Sequence, residues 1–499
     1  MTRRRLALPL LSLLLAALGL AGRGLWGAPP AAADEPASAT AYEADLAATV
    51  EAILADPDLP SAFWGLHVRD LSSGRTVLSR NADKLFMPAS TLKMITSAAA
   101  LDVLGGDYRY TTTLFFFGDE GADGTLRGDL VIRGSGDPSF GSALVPGNPL
   151  RRWADALAAA GVRRVQGRLV GDDRRFADEP YGEGWDVTHV GTEPYAPAAG
   201  GLAWGDNLLN VRIAGGAAER PARAEVSPAG LLALDAELAT RGGAAGLEVR
   251  RALGSSTLVL RGGVPPGYEG TLRVPAPNPT LYALAALADA LREAGIVVDA
   301  TPVDADDLPP PERPRYDGAQ PLQAYVSPPL AELVVHLNRT SDNLFAEQIL
   351  RSLGDGTIAS GAARALAFMD RVGVPTAGVS IRDGSGLSRK NMVTPQALTG
   401  LLVAMTQHPA RETFRASLAT GGGAGTTLRN RLAGVPVVAK TGSIEYARAL
   451  SGYVTGPRGQ TLAFTLMANN YTAGGAQITG AMDRIVRALA TGERLPVSE

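Results

Sequence analysis

The residues best placed to do chemistry are Ser90 and Lys93. In Ser90-Thr91-Leu92-Lys93 a hydroxyl and an amine stand three positions apart, and residues i and i+3 of a helix share a face. A helix starting near Ser90 therefore sets the two groups within hydrogen-bond reach. A serine needs a base beside it to act as a nucleophile, and a lysine amine serves as that base once burial or a second cation lowers its pKa. Ser341-Asp342-Asn343 is a second constellation, set between the apolar runs LAELVVHLN and LFAEQIL. Its hydroxyl can pass a proton and its carboxamide can bind a substrate carbonyl. Lys440-Thr441-Gly442-Ser443 is a third, at the end of the strand-like VPVVAK. Lys440 and Thr441 suit a carboxylate. Gly442 leaves room for a substrate backbone along an edge strand, and the Ser443 N–H can join that of Ser90 in an oxyanion hole. Each motif alone also reads as ordinary structure: a capped helix start, an Asx-capped turn between helices, the end of a strand. Their coincidence is more telling, because the chain has four lysines (Lys84, Lys93, Lys390, Lys440) and two of them fall on these positions.

The elements that must position these groups divide the chain in three. Residues 42–56 keep helical apolar spacing at Leu46, Val50, Ile53 and Leu54. A β-hairpin around Ser72-Ser73-Gly74 and the helix from Ser90 to Gly105-Gly106 follow. From Tyr108 short β-like runs alternate with Gly/Pro turns, interrupted by helices at 150–160 and 278–294 and closed by a Pro/Asp-rich linker at 303–316. After Ser327-Pro328-Pro329 long helices return, then three strands and a closing helix at 476–490. The helical and hairpin-rich ends are expected to form one domain around a β-rich insertion.

Composition narrows the chemistry. With 45% hydrophobic and 19% charged residues in 499, the chain is expected to bury a core rather than remain disordered. The absence of cysteine excludes disulfides, thiolate metal sites and a catalytic thiol. A formal net charge of −3 gives nucleic-acid binding no support. The four histidines show no metal spacing and there is no G-x-S-x-G, which disfavours a zinc peptidase and a Ser-His-Asp triad. Arg3, Arg4 and Arg5 precede an apolar run from Leu6 to Leu20, and Ala31-Ala32-Ala33 offers a cleavage site. This is the order of a secretory signal, expected to be cleaved near Ala33. Its removal takes four arginines and shifts the net charge to −7. The mature protein is expected to be exported, periplasmic or extracytoplasmic, with at most peripheral membrane contact.

The order S-x-x-K, S-D-N, K-T-G is similar to that of the serine enzymes that handle penicillins and peptidoglycan peptides. The separation of 251 positions from Ser90 to Ser341 narrows the likeness. The chain resembles the D-alanyl-D-alanine carboxypeptidase/endopeptidase family, the low-molecular-mass class C penicillin-binding proteins. GDLVIRGSGDPSF at 128–140, GRLVGDDRRF at 167–176 and DGSGLSRKNMVTP at 383–395 look like that family too. The resemblance implies an α/β (α+β) architecture: a transpeptidase/β-lactamase-like domain, an antiparallel sheet flanked by helices, over 34–108 and 320–499. Inserted domain II is expected over 109–187 and 276–319, and inserted domain III over 188–275. It implies Ser90 as nucleophile, Lys93 as base, Ser341, Asn343 and Lys440 in catalysis, and Thr441, Gly442 and Ser443 in substrate binding. Asp186 is the candidate to face a diamino-acid side chain of the substrate. Asp383-Gly384-Ser385-Gly386 reads as a structural turn and Lys390 as surface. The implied partners are peptidoglycan stem peptides and β-lactams, with no metal or organic cofactor. A β-lactamase or esterase on the same scaffold, or a non-catalytic cell-wall-binding protein, stays open as an alternative.

Overall fold

A computed structural model describes residues 37–59 and 61–492. The expected signal segment, 1–33, lies outside the described residues. Helix α1 (Ala37–Leu54) is followed by the hairpin β1 (Phe63–Asp70) and β2 (Thr76–Arg80), a 3-10 turn (Ala89–Leu92) and α2 (Lys93–Val103). The insertion comes next: β3 (Thr111–Glu120), β4 (Thr125–Arg133), α3 (Pro149–Ala159), β5 (Arg164–Asp172), β6 (Leu208–Ala214), β7 (Arg223–Ser227), β8 (Ala233–Thr240), β9 (Gly246–Arg250), β10 (Thr257–Val264), β11 (Glu269–Pro275), α4 (Pro279–Glu293), β12 (Val297–Asp304) and β13 (Gln323–Val326). The chain closes with α5 (Leu330–His336), a π-helical turn (Leu337–Ser341), α6 (Asn343–Ser352), α7 (Ile358–Arg371), α8 (Pro395–Met405), α9 (Arg411–Ser417), β14 (Ala419–Thr420), β15 (Val437–Ile444), β16 (Ala447–Thr455), β17 (Thr461–Asn469) and α10 (Gly475–Thr491).

The two ends of the chain build one sheet, in the order β14-β15-β16-β17-β1-β2, antiparallel throughout. Its central strands are buried on both faces, and β17 is buried at every position but its first. Helix α8 packs on one face and α10 on the other. Helix α2 is buried continuously from Lys93 to Leu101, at the centre of a core that also takes Phe345, Ile349, Phe368 and Leu401. A helix apolar around its whole circumference belongs in the interior. That placement removes water from Lys93.

The insertion is β-rich but not a set of simple hairpins. Its main sheet runs β12-β5-β4-β3-β13, with β4, β5 and β12 mutually parallel. Parallel neighbours need a crossover, and the two helices legible in the sequence lie in them: α3 between β4 and β5, α4 before β12. Both start at Asn-Pro. Asn148 accepts from the Arg151 N–H and Asn278 from the Leu281 N–H, with proline at the first helical position. Two three-stranded sheets, β11-β6-β7 and β8-β10-β9, make up the rest.

Two local expectations change. Strand β13 pairs with β3, so the insertion's sheet reaches Val326, beyond the limit of 319 expected for domain II. The segment 303–316 is not a loose linker: the Tyr316 hydroxyl donates to Asp172 (2.6 Å) and the Arg133 guanidinium stacks over its ring. Among the described residues no helix is long and apolar enough to cross a membrane. Leu66 is fully buried in β1, and Leu66→Ala is expected to lower the unfolding free energy by about 2–5 kcal/mol in denaturant titration.

Candidate active site

Ser90 sits in the 3-10 turn that leads into α2. The residue before it, Ala89, has φ +46°, an uncommon conformation for a non-glycine residue. The turn is wedged by its neighbours. A Cβ on Gly386 would lie 1.9 Å from the Ala89 carbonyl oxygen, and one on Gly442 would lie 2.7 Å from that of Pro88. Gly442 is therefore required by the backbone of the turn that carries Ser90, which presses on β15.

Lys93 Nζ lies 3.0 Å from Ser90 Oγ and donates to Asn343 Oδ1 and to the Ser385 carbonyl, both at 2.6 Å. The lysine is fully buried. Burial holds its pKa down at about 8, against the opposing pull of Asp383, Glu347 and Asp342. A neutral amine has two N–H groups and one lone pair. The two carbonyl oxygens take the N–H groups, and the lone pair is left for the Ser90 hydroxyl. Lys440, equally buried, donates to Ser341 Oγ (2.8 Å) and to the Thr441 carbonyl (2.9 Å). Burial, with the charge of Lys93 added, holds its pKa well below the usual lysine range.

The S-D-N turn is built as its residue types require. The π-helical turn ends at Ser341, whose φ is +65°, and Asp342 caps α6 by accepting from the Phe345 N–H. Asn343 is engaged at both ends. Its Oδ1 accepts from Lys93 and its Nδ2 donates to the Tyr195 carbonyl (2.7 Å), leaving one N–H for a ligand.

Ser90, Ser341, Asn343 and Ser443 line one cavity of about 230 Å³ together with Trp185, Tyr195 and Leu387. Asp186 lines it too. Its carboxylate accepts from the Thr188 N–H and hydroxyl (3.0 and 2.7 Å), bonds that hold its pKa below the usual range, and it lies 3.9 Å from Arg389. Thr441 and Gly442 face a neighbouring cavity that shares Ser443. Lys390 pairs with Glu183 on the surface. Elsewhere, Asp173, Asp304 and Asp306 bring carboxylate oxygens within 4.8 Å of one another in a separate cavity of the insertion. No step at Ser90 draws on them.

Sequence reasoning missed the groups that hold the Ser385 carbonyl in place. Glu347 accepts from the Gly384 and Ser385 N–H groups (2.9 Å each) and pairs with Arg351 (2.8 Å), both side chains being about 1% exposed. Burial and Asp383 push the Glu347 carboxyl up, while Arg351 and Ser385 pull it down. Asp383 accepts from the Gly386 and Ser388 N–H groups, from Asn391 Nδ2 and from Trp185 Nε1. The turn 383–391 is thereby tied to the insertion. The signal was present: a Glu and an Arg four apart inside the apolar run LFAEQILRS ask for a buried ion pair.

A family model described as the D-Ala-D-Ala carboxypeptidase 3 (S13) family matches residues 46–491. A D-alanyl-D-alanine carboxypeptidase of Actinomadura sp. (strain R39) is 33% identical over 475 residues, 90% of this chain and 85% of that protein. The D-alanyl-D-alanine carboxypeptidase DacB of Haemophilus influenzae is 25% identical over 447 residues, 82% of this chain and 86% of that one. Among solved structures, penicillin binding protein 4 (dacB) from Haemophilus influenzae matches with TM-score 0.74 and 22% identity, over 88% of this chain and 98% of that chain. This likeness shows the fold.

Removing one partner of a buried ion pair strands the other charge. Glu347→Ala is expected to lower stability by about 3–5 kcal/mol. It is also expected to slow acylation of the folded fraction, because the Ser385 carbonyl loses its anchor. Denaturant titration and acylation kinetics on the same sample check both effects.

Proposed function

The chain belongs to the D-Ala-D-Ala carboxypeptidase 3 (S13) family and is a serine-type D-Ala-D-Ala carboxypeptidase; on that premise we propose that Ser90 is its nucleophile, Lys93 its base, and peptidoglycan stem peptides its substrates. One observation carries the assignment of roles: a buried amine 3.0 Å from Ser90 Oγ whose two other contacts are carbonyl oxygens.

Lys93 takes the Ser90 proton as Oγ attacks the penultimate D-Ala carbonyl. The Ser90 and Ser443 N–H groups receive the oxyanion. Ser341, hydrogen-bonded to Lys440, passes a proton to the departing amine, and the C–N bond breaks. Lys440 and Thr441 hold the terminal carboxylate, and the remaining Asn343 N–H holds a peptide carbonyl. Water then cleaves the ester and frees Ser90. Gly442 contributes by letting β15 close on the nucleophile's turn. Asp186, ionised at the cavity wall, is suited to an amine on the third residue of the stem peptide. A β-lactam offers the same acyl carbon with no small leaving group to diffuse away, and a related penicillin binding protein 4 has been solved complexed with a novel β-lactam. The domain limits drawn from the sequence, with domain II extended to β13, are part of this reading. So is export, which the Arg3–Arg5 run and the apolar segment behind it support.

Intact-protein mass after incubation with benzylpenicillin tests the roles. Wild type is expected to hold one persistent equivalent and Ser90→Ala none. Hydrolysed antibiotic without an adduct would instead support a β-lactamase. Neither adduct nor hydrolysis would support a non-catalytic wall-binding protein. The base must be neutral to act, so the acylation rate constant is expected to rise with pH through a single ionisation near 8. Lys93→Ala is expected to abolish acylation across that range.

A further inference from the structure

A cavity of about 770 Å³ opens where the insertion's main sheet meets the loop between α6 and α7. It shares no lining residue with the cavities that hold Ser90 and Thr441. Its floor is one end of the sheet. Thr113, Arg133 and Asp172 are register partners on β3, β4 and β5, and Thr111 and Phe115 alternate onto the same face. Arg109, Arg174 and Arg175 line it as well, so four guanidinium groups meet two carboxylates, Asp172 and Asp355. Both carboxylates are engaged. Asp172 pairs with Arg174 (2.7 Å) and accepts from the Tyr316 hydroxyl. Asp355 accepts from the Thr357 N–H and hydroxyl and from the Ser360 hydroxyl. The other three arginines are exposed and have no acidic partner among the described residues. Arg109 donates to the Ser327 carbonyl (2.7 Å), Arg133 lies over the Tyr316 ring and Arg175 over the Phe176 ring. The Ser135 hydroxyl, in the wall, is buried without a hydrogen-bond partner.

Three uncompensated cations around one cavity ask for a ligand with several negative charges. A guanidinium fork grips phosphate oxygens at two points, and a phosphodiester chain brings one charge with every unit, so it can reach arginines that come from three separate segments. The units between the phosphates are constrained too. A nucleobase needs an open aromatic face to stack on. Tyr316 offers none, because Arg133 covers its ring and Phe115 and Phe117 pack against it, with centroids 4.9 and 6.0 Å away. The floor presents the hydroxyls of Thr111 and Thr113 instead, which suit a polyol. We propose that this cavity binds a polyol-phosphate chain, with Arg109, Arg133 and Arg175 on its phosphates and Thr111 and Thr113 on its hydroxyls. Such a site tethers the enzyme to an anionic polymer and leaves the cavity of Ser90 open. It does not depend on the carboxypeptidase reading.

Fluorescence anisotropy with a labelled oligo(glycerol phosphate), on the mature protein at low ionic strength, tests the site. Wild type is expected to bind saturably and to release the chain as salt is added. Arg109→Ala and Arg175→Ala are each expected to raise Kd about tenfold, and Arg175→Lys to recover part of the loss. Arg250→Ala, at an exposed arginine of β9 outside the cavity, is expected to leave Kd unchanged. Benzylpenicillin acylation should be the same in all of them, which shows that each variant is folded. Absence of saturable binding by wild type would overturn the site, as would an equal Kd for wild type and Arg175→Ala. A loss in Arg250→Ala as large as in Arg175→Ala would reduce the effect to net charge and overturn it too. An oligothymidylate of equal charge that binds as tightly would overturn the polyol as occupant. Inorganic phosphate that displaces the label at the same phosphate concentration would overturn the chain. Each of these results leaves the penicillin adduct, and with it the carboxypeptidase reading, untouched.

Discussion

The structure depends on keeping one amine away from water. Lys93 has no exposed surface, and an ammonium in such a place is costly unless its surroundings replace the lost hydration. Two carbonyl oxygens and one hydroxyl do so, and none of them is an ion. That choice matters. A carboxylate in direct contact would fix the charge, whereas neutral oxygens allow the amine to lose its proton. Lys440 repeats the arrangement with Ser341 and a carbonyl. The charge of Lys93 adds to burial in holding the Lys440 pKa well below the usual lysine range.

The surrounding layers follow from this constraint. Helix α2 has to be buried on every side to hold Lys93 dry, which explains its run of Ala98, Ala99 and Ala100 packed among larger apolar residues. The negative charges of Asp383, Glu347 and Asp342 stand off and act through space. They keep the Lys93 pKa from falling further and leave it at about 8, in the range that suits the base role proposed for it. Buried ion pairs such as Glu347–Arg351 contribute little net stability against an apolar alternative. This one fixes the position of a carbonyl that the lysine needs. Through Trp185 and Asp383 the insertion reaches the same turn, so it forms part of the site's wall.

Much of this was legible in the sequence. S-x-x-K, S-D-N and K-T-G named the three corners, because helix, turn and strand periodicities are local and fix which groups share a face. The antiparallel sheet and its flanking helices were implied by the family resemblance that these motifs carry. Strands β7, β8, β12 and β13 carry little local signal. Their exposed and half-buried positions alternate with few fully buried residues, so the apolar signal is weak. Their pairing is also set by neighbours far along the chain. The Ser385 carbonyl escaped for a different reason. It is backbone, and its partner is 292 residues away, a distance no local pattern spans. At Gly442 the absence of a side chain lets the turn before Ser90 approach β15 closely, a long-range contact that the sequence does not announce.

The central claim is that burial brings Lys93 to lose its proton near pH 8, so that a neutral amine is within reach at working pH. The chain's four lysines make it directly observable. The mature protein, labelled with 15N at lysine Nζ and titrated by NMR, with Lys84→Arg and Lys390→Arg to assign the exposed pair, reports each amine separately. The account predicts a Lys93 resonance that titrates near 8, well below the roughly 10.4 of an unperturbed lysine. A Lys93 that keeps its proton until the exposed lysines lose theirs would contradict it.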